Sequence, residues 1–266
     1  MIASGIFYHY KNQISASSNP KTTPSKAGSD ATVSKTTPNV DTIKITAVPI
    51  LMYHYIRDYN DPTDTIGSNL SVSPRTFDRQ LTFLEENNYQ TLTLSQMISD
   101  FSGKYKIPKD KKPIILTFDD GYADAYTSAY PILQKHHFTA VFYIITGQIG
   151  QTDRMTEKQI VELDKNSMVI GSHTVSHPDL TKNSSNQVLS QLTDSKSKLE
   201  SILNHPIFDF CYPAGKFNDE VVSLAKSAGY QTATTTAKGT ADLSSDPLKM
   251  PRIRVQNDTN LEKVLK

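Results

Sequence analysis

Several apolar runs in this chain are continuous rather than alternating, and most end abruptly on polar or charged residues. Val48 to Tyr53 (VPILMY) stops at His54, Pro113 to Phe118 (PIILTF) at Asp119, and Met168 to Gly171 at Ser172-His173. Thr139 to Ile145 (TAVFYII) and Phe208 to Tyr212 are built the same way, and shorter strand patterns follow at Gln231 to Ala233 and Arg252 to Val255. An alternating strand keeps one face in water, whereas a run that is apolar at every position is covered on both faces. What covers them lies between them. Ser73-Pro74 opens a helix with a cap residue and proline at the first helical position, continued by Phe77, Leu81 and Leu84 toward Asn88. A short helix is expected after Ser95. Others are expected over Tyr122 to His136 (despite Pro131), Thr156 to Asp164, Asn186 to Leu203, Asn218 to Ala228 and Asn260 to Leu265. Strands alternating with helices predict an α/β fold with a parallel sheet, closed or nearly closed as a barrel.

The 266 residues suit one sizeable domain with extra segments. With 28 basic and 27 acidic residues the net charge is +1, and no basic patch stands out, so nothing marks a nucleic-acid partner. The single cysteine, Cys211, excludes an intramolecular disulfide and a cysteine-built zinc cage. No run approaches the ~20 apolar residues of a membrane span. From about Asn12 to Thr46 the chain is Ser, Thr, Pro, Lys and Asn with few large apolar residues, and is expected to be a flexible tether that cannot offset its ordering entropy. The tether is taken to cover 1–46 and the ordered domain 47–266. The mildly apolar Met1 to Tyr8 fits either the remnant of a trimmed signal or anchor, or a disordered start.

In parallel α/β folds the chemistry sits at the carboxyl ends of the strands. The residues there are His54, Asp119-Asp120-Gly121, Gly171-Ser172-His173, Pro213-Ala214-Gly215 and Arg252 to Arg254. Two adjacent carboxylates at a strand end are costly unless a positive charge neutralises them, and a divalent cation does this well. The plainer reading is an Asp-Gly turn. His173 and His177, four residues apart, can face one point on a compact turn, although two surface histidines would look the same. One carboxylate and two imidazoles make an open three-ligand site with room for water. His54 alone is weak evidence of catalysis, and His136, His137 and His205 fall at helix ends as structural or solvated residues. In the turn after Tyr212, backbone N–H groups could form an oxyanion hole. Cys211 sits in a strand, which suggests burial, and nothing marks it as an activated nucleophile.

At these residues the sequence resembles the polysaccharide deacetylases of carbohydrate esterase family 4, the NodB-homology domain. The matching stretches are Thr117-Phe118-Asp119-Asp120-Gly121-Tyr122, Ser172-His173-Thr174-Val175-Ser176-His177-Pro178 and Tyr212-Pro213-Ala214-Gly215, spread over roughly 48–256. The opening Leu51-Met52-Tyr53-His54-Tyr55-Ile56 looks like the branch that includes poly-N-acetylglucosamine deacetylases. The resemblance implies a distorted (β/α) barrel of about seven parallel strands. It also implies roles: Asp119 as general base, Asp120, His173 and His177 as ligands of a divalent metal (zinc, with cobalt or nickel open), and His54 as general acid. Tyr212, Pro213 and Ala214 would frame the oxyanion. Where the family carries an arginine that positions the base, this chain has Cys211, and the tryptophan and late histidine of the family are absent. We expect Arg252 or Arg254 to supply the missing cation.

The activity so implied is metal-dependent removal of acetyl groups from an N-acetylglucosamine polymer (poly-N-acetylglucosamine, peptidoglycan or chitin-like), by a monomer that is extracellular or attached to the cell surface, with membrane contact only through an N-terminal anchor. Competing readings are O-acetyl (xylan) esterase chemistry on the same scaffold, or a catalytically dead carbohydrate-binding module; a stalk protein would explain none of the motifs. Tyr53, Tyr122 and Tyr212 adjoin the motifs as candidate sugar-stacking residues, though tyrosine in such places is more often packing.

Overall fold

The computed structural model describes residues 42–59, 61 and 63–265. The chain begins with β1 (Thr42–Ile43), β2 (Ala47–Val48), β3 (Ile50–Tyr53) and β4 (Tyr55–Ile56), followed by α1 (Thr65–Leu70), β5 (Ser71–Val72) and α2 (Pro74–Glu86). Next come β6 (Tyr89–Thr91), α3 (Leu94–Phe101), β7 (Ile107–Pro108), β8 (Lys112–Phe118), α4 (Tyr130–Lys135) and β9 (Val141–Ile144). The second half runs α5 (Glu157–Lys165), β10 (Val169–Ser172), α6 (Ser185–Leu203), β11 (Asp209–Cys211) and α7 (Asp219–Ser227). It closes with β12 (Thr232–Lys238), β13 (Ala241–Asp242), β14 (Met250–Arg254) and α8 (Leu261–Val264).

The main sheet has the order β3-β14-β12-β11-β10-β9-β8-β6, and β3 also pairs with β8. That second pairing closes seven parallel strands into a barrel, with β6 added alongside the start of β8. The distorted (β/α) barrel expected from the sequence is what forms. Strand parity explains the continuous apolar runs. Leu116, Phe118, Phe142, Ile144, Phe210 and Ile253 pack outward in one core cluster with the helices. Their neighbours Ile115, Val141, Tyr143, Cys211 and Met250 fall in a second cluster. Both sets are removed from water, so neither face of a strand needs polar residues.

The parity continues beyond the apolar runs. Asp119 shares a face with Ile115 and Thr117, and Arg252 shares one with Met250, so a carboxylate and a guanidinium are both carried inward. Asp119 is 3% exposed and Arg252 1%. Between Thr234 and Lys238 the register of β12 against β14 shifts. In that irregular stretch the Thr235 carbonyl accepts a hydrogen bond from Arg252 Nε at 2.8 Å.

Two differences from the sequence reading have local causes. The helix expected over Tyr122 to His136 is a π-helical turn at Ala125–Ala129 running into α4, and Pro131 falls in the first turn of α4. Helical backbone precedes the proline without a break, so it stands inside the run, and the wider π turn before it is the local adjustment that accommodates its missing N–H. The tether expected over 1–46 lies, up to residue 41, outside the described residues, but Thr42 to Thr46 are fastened to the domain. Thr42 and Ile43 pair with Pro108 and Ile107, and Ile45 is buried with its N–H donated to Asp100 Oδ2 at 3.1 Å. The isolated isoleucines of a polar stretch carry too little pattern for this to be read from sequence. The helix α1 and the short pair β4–β5 were likewise missed, since neither has an amphipathic run.

Candidate active site

Four strand ends, those of β3, β8, β10 and β11, deliver the site, and β14 supplies a cation from within the barrel. Asp120 Oδ1 lies 3.4 Å from His173 Nε2 and 3.6 Å from His177 Nε2. Donor atoms bound tetrahedrally at about 2.0–2.1 Å would stand about 3.3–3.4 Å apart, so this trio fits a small divalent cation. His173 is buried, while His177 keeps 34% of its side chain exposed, leaving an open side. His173 Nδ1 lies 2.7 Å from the Cys211 carbonyl. That oxygen can only accept, so Nδ1 carries the hydrogen and Nε2 faces Asp120 with its lone pair free for a cation.

The backbone is bent to make this convergence. Asp120, Thr174, His177 and Ala214 all have positive φ (73°, 66°, 58° and 51°), and each is a non-glycine residue from a site motif. Such positions cost roughly 1–3 kcal/mol each and persist only where the surroundings enforce them. For the histidine loop the enforcement is visible. Thr174 Oγ1 accepts the His177 N–H at 2.9 Å, and Gln191 Oε1 on α6 accepts the N–H groups of Val175 and Ser176 at 3.0 Å. Gln191 was not found from sequence, because a polar residue on an amphipathic helix gives no sign of capping a distant loop.

Asp119 is held differently. Arg252 Nη1 donates to Oδ1 and Nη2 to Oδ2, both at 2.7 Å, a two-pronged pair. Nη1 also reaches Thr117 Oγ1 at 2.9 Å and Nη2 reaches Cys211 Sγ at 3.2 Å. With Nε on Thr235, each N–H of the buried guanidinium has an acceptor. Burial works to raise the Asp119 carboxyl, but the Arg252 charge and hydrogen bonds overwhelm it and hold the group well below the usual carboxylate range. With no cation present Asp120 is also lowered: burial pushes it up, and a protonated His173 donating to it pulls it further down, a proton whose place a cation on the trio would take. A second group able to gather around an ion, Asp119, His173 and Cys211, already contains this guanidinium against both Asp119 and Cys211, and a cation there would be repelled.

His54 Nε2 stands 3.8 Å from Asp119 Oδ2. Burial lowers its pKa, with Asp119 and Asp120 pulling the other way. Of the two arginines expected to serve Asp119, Arg252 reaches it and Arg254 does not; Arg254 is exposed at the end of β14. The oxyanion expectation for Tyr212, Pro213 and Ala214 narrows. The Tyr212 N–H is donated to the Thr234 carbonyl at 3.2 Å as part of the sheet, and Pro213 has no N–H. The turn continues through Gly215 N–H to Tyr212 O and Lys216 N–H to Pro213 O, so the exposed Ala214 carries the amide the turn does not use. The turn needs Gly215, with φ at 67°: a Cβ there would stand 2.0 Å from Thr236 Oγ1.

The sugar-stacking expectation is corrected for all three tyrosines: the Tyr122 ring is covered by Tyr55 on one face and by the Arg154 guanidinium on the other. Tyr53 is fully buried with its hydroxyl on Gln80 Oε1 at 3.1 Å, and Tyr212 is fully buried between Phe210 and Phe217. Among the other histidines, His136 is buried between Asp78 and Glu85, and His205 contacts Asp164.

A parallel barrel with an open Asp-His-His triad at its strand ends, next to a carboxylate fixed by arginine, is the architecture of a hydrolase, and comparison with known proteins agrees. Residues 106–233 match the family described as Polysaccharide deacetylase. YxkH of Bacillus subtilis (strain 168) is 33% identical over 220 residues, covering 81% of this chain and 74% of that one. The poly-beta-1,6-N-acetyl-D-glucosamine N-deacetylase of Staphylococcus epidermidis is 30% identical over 230 residues, 78% of each chain. The Streptococcus pyogenes deacetylase PplD, solved in complex with acetate, superposes with a TM-score of 0.76 at 34% identity, covering 82% of this chain and 96% of that one. The chain belongs to the polysaccharide deacetylase family, hydrolases acting on carbon–nitrogen bonds.

Proposed function

We propose that this enzyme is a metal-dependent N-deacetylase of N-acetylglucosamine-containing polymers that works outside the cell or attached to its surface. The observation that carries the reading is the pairing of an open Asp120–His173–His177 trio with an Arg252-bound Asp119 and a nearby His54. A divalent ion held by that trio, zinc by donor chemistry with cobalt or nickel also accepted, would polarise the acetamide carbonyl and acidify the attacking water.

The residues themselves supply the rest. Asp119, pinned by Arg252, stays ionised across the working pH range and so is always ready to accept a proton. Held that low, it is a weak base, and it can deprotonate only a water that is already acidified, which is why it belongs beside a metal trio. His54 is placed to give a proton to the departing amine. Its lowered pKa makes it a willing donor, and Asp119 Oδ2 is close enough to return the proton taken from water. The Ala214 N–H is the backbone donor left for the developing oxyanion. The products are acetate and a free amino sugar.

The carbohydrate-binding reading took its warning from the altered third and fourth motifs, the missing arginine and the missing tryptophan; the Arg252 contact with Asp119 weighs against the first of these. The 30% identity to a poly-N-acetylglucosamine deacetylase supports amide over ester chemistry. A cell-surface location follows from where such polymers lie; among the described residues no helix is long and apolar enough to cross a membrane. The test is acetate release from poly-N-acetylglucosamine, peptidoglycan, chitin oligomers and acetylated xylan, before and after chelation, with zinc, cobalt or nickel added back. Release from an N-acetylated polymer that chelation abolishes and metal restores is the expected result. Chelation-insensitive turnover, or release from xylan alone, would overturn the reading.

A further inference from the structure

The loop after His54 and the loop after Asp120 are joined by a continuous stack of side chains. The Tyr55 and Tyr122 rings lie face to face, 3.6 Å between centroids and 26° from parallel. On the far face of Tyr122 sits the Arg154 guanidinium at 3.9 Å, and over Tyr55 sits that of Arg57 at 3.6 Å. Arg57 also lies over Tyr59 at 4.3 Å. The order is therefore Arg154, Tyr122, Tyr55, Arg57, Tyr59. Cation–π and ring–ring contacts of this kind contribute about 0.5–2 kcal/mol apiece.

Both ends of the stack are anchored. The Tyr59 hydroxyl donates to Asp64 Oδ2 at 2.6 Å, and Asp64 caps α1 through the Gly67 N–H at 2.8 Å. Arg57 Nε donates to Ser71 Oγ at 3.1 Å. At the other end, Tyr122 bridges to Arg154, the Ala123 N–H goes to the Asp153 carbonyl, and the Met155 N–H goes to the Gly121 carbonyl. Arg154 Nη1 also reaches the Asp120 carbonyl at 3.4 Å.

Every ring face in the middle of the stack is covered, so it offers no platform for a sugar. What it does join is chemistry: Tyr55 directly follows His54, and Tyr122 lies two residues beyond Asp120. We propose that the Tyr55–Tyr122 stack, capped by Arg57 and Arg154, is a clamp that sets the position of His54 against Asp119 and Asp120. Its members are positioning residues for proton delivery to the leaving amine, an inference that rests on the reading of His54 as the general acid. Misplacing a catalytic group by about 1 Å can cost 100-fold in rate, so a clamp of this kind acts on turnover.

The test compares two substrates of the metal-loaded enzyme, an N-acetylglucosamine oligomer and an aryl acetate whose leaving group departs without protonation. Tyr55→Ala should lower kcat on the oligomer by about 10- to 100-fold, with KM little changed and the aryl acetate rate kept. Tyr55→Phe, which retains the ring, should restore the oligomer rate. Arg57→Met, at the outer end, should shift kcat in the same direction by less, and covers the case in which Tyr55→Ala fails to fold. His54→Gln is the control. If it leaves oligomer turnover intact, the acid assignment is wrong. If it abolishes that turnover while Tyr55→Ala and Arg57→Met leave it unchanged, or lower both substrates in parallel, the clamp is refuted and the assignment stands.

Discussion

Replacing Arg252 with methionine removes a buried cation and leaves a buried anion. The methionine fills much of the volume, so the main loss is electrostatic: two 2.7 Å hydrogen bonds to Asp119 and the charge that balances it. Breaking a buried pair from one side costs about 3–5 kcal/mol. For a domain of this size that corresponds to a fall of roughly 6–20 °C in Tm. The chemical effect has a definite sign. In the native enzyme Asp119 is depressed, so its contribution to stability is present above the unfolded carboxyl pKa of about 3.9 and is lost as pH falls through the folded value. Without Arg252, burial acts on Asp119 against only the pull of His54 and His173, so the carboxyl rises and the variant becomes less stable relative to wild type as pH rises past about 4. The gap in Tm between wild type and Arg252→Met should therefore widen from pH 4 to pH 8, and Arg252→Met/Asp119→Asn should close most of it. Acetate release should fall by about 100- to 10,000-fold in the single variant, because Asp119 loses both the charge that keeps it ionised and the two hydrogen bonds that hold it in place. Arg254→Met, at an exposed position, should stay within about 0.5 kcal/mol of wild type. An Arg252→Met enzyme that keeps wild-type turnover and melts with the same pH dependence would refute this reasoning.

Three further outcomes follow. Asp119→Asn should lose turnover while retaining metal, whereas His173→Ala and Asp120→Asn should lose both; metal content after dialysis separates them, and equal loss in all three would contradict the division of roles. Burial pushes the Asp209 carboxyl up to about 6 against its hydrogen bond from Thr232. A raised acid of this kind costs the fold about 2–3 kcal/mol as pH climbs from about 4 to past 6. Asp209→Asn should therefore gain Tm relative to wild type at pH 8 compared with pH 4, and parallel melting curves would count against it. Gly215→Ala forces a Cβ into Thr236 at a positive φ, so it should destabilise by more than about 1 kcal/mol and lower kcat through the Ala214 amide; unchanged kcat would detach Ala214 from the oxyanion.

Much of the site was legible in the sequence because it lies at strand ends, and strand ends are marked where an apolar run stops. His54, Asp119, Asp120 and His173 all follow such a stop, and His177 follows by spacing. The choice between Arg252 and Arg254 was not legible. They are two residues apart in one strand, so they share a parity, and only the length of the barrel decides that the first is enclosed and the second emerges. The Tyr55–Tyr122 contact was also invisible, since its partners are 67 positions apart in the chain and neither carries a pattern. The same holds for Gln191, whose role depends on where α6 passes the histidine loop.

The arrival of the guanidinium from β14 rather than β11 has a consequence for how relatives of this enzyme are judged. Cys211 Sγ and Arg252 Nη2 are 3.2 Å apart, so the two positions border the same small space beside Asp119. A lineage could exchange the source of that charge in two substitutions without moving the acid it serves. Scored position by position, such a chain looks decayed, although its electrostatics are intact. Deciding whether a divergent member has lost its chemistry therefore calls for asking what fills the volume around the carboxylate, from whichever strand it comes.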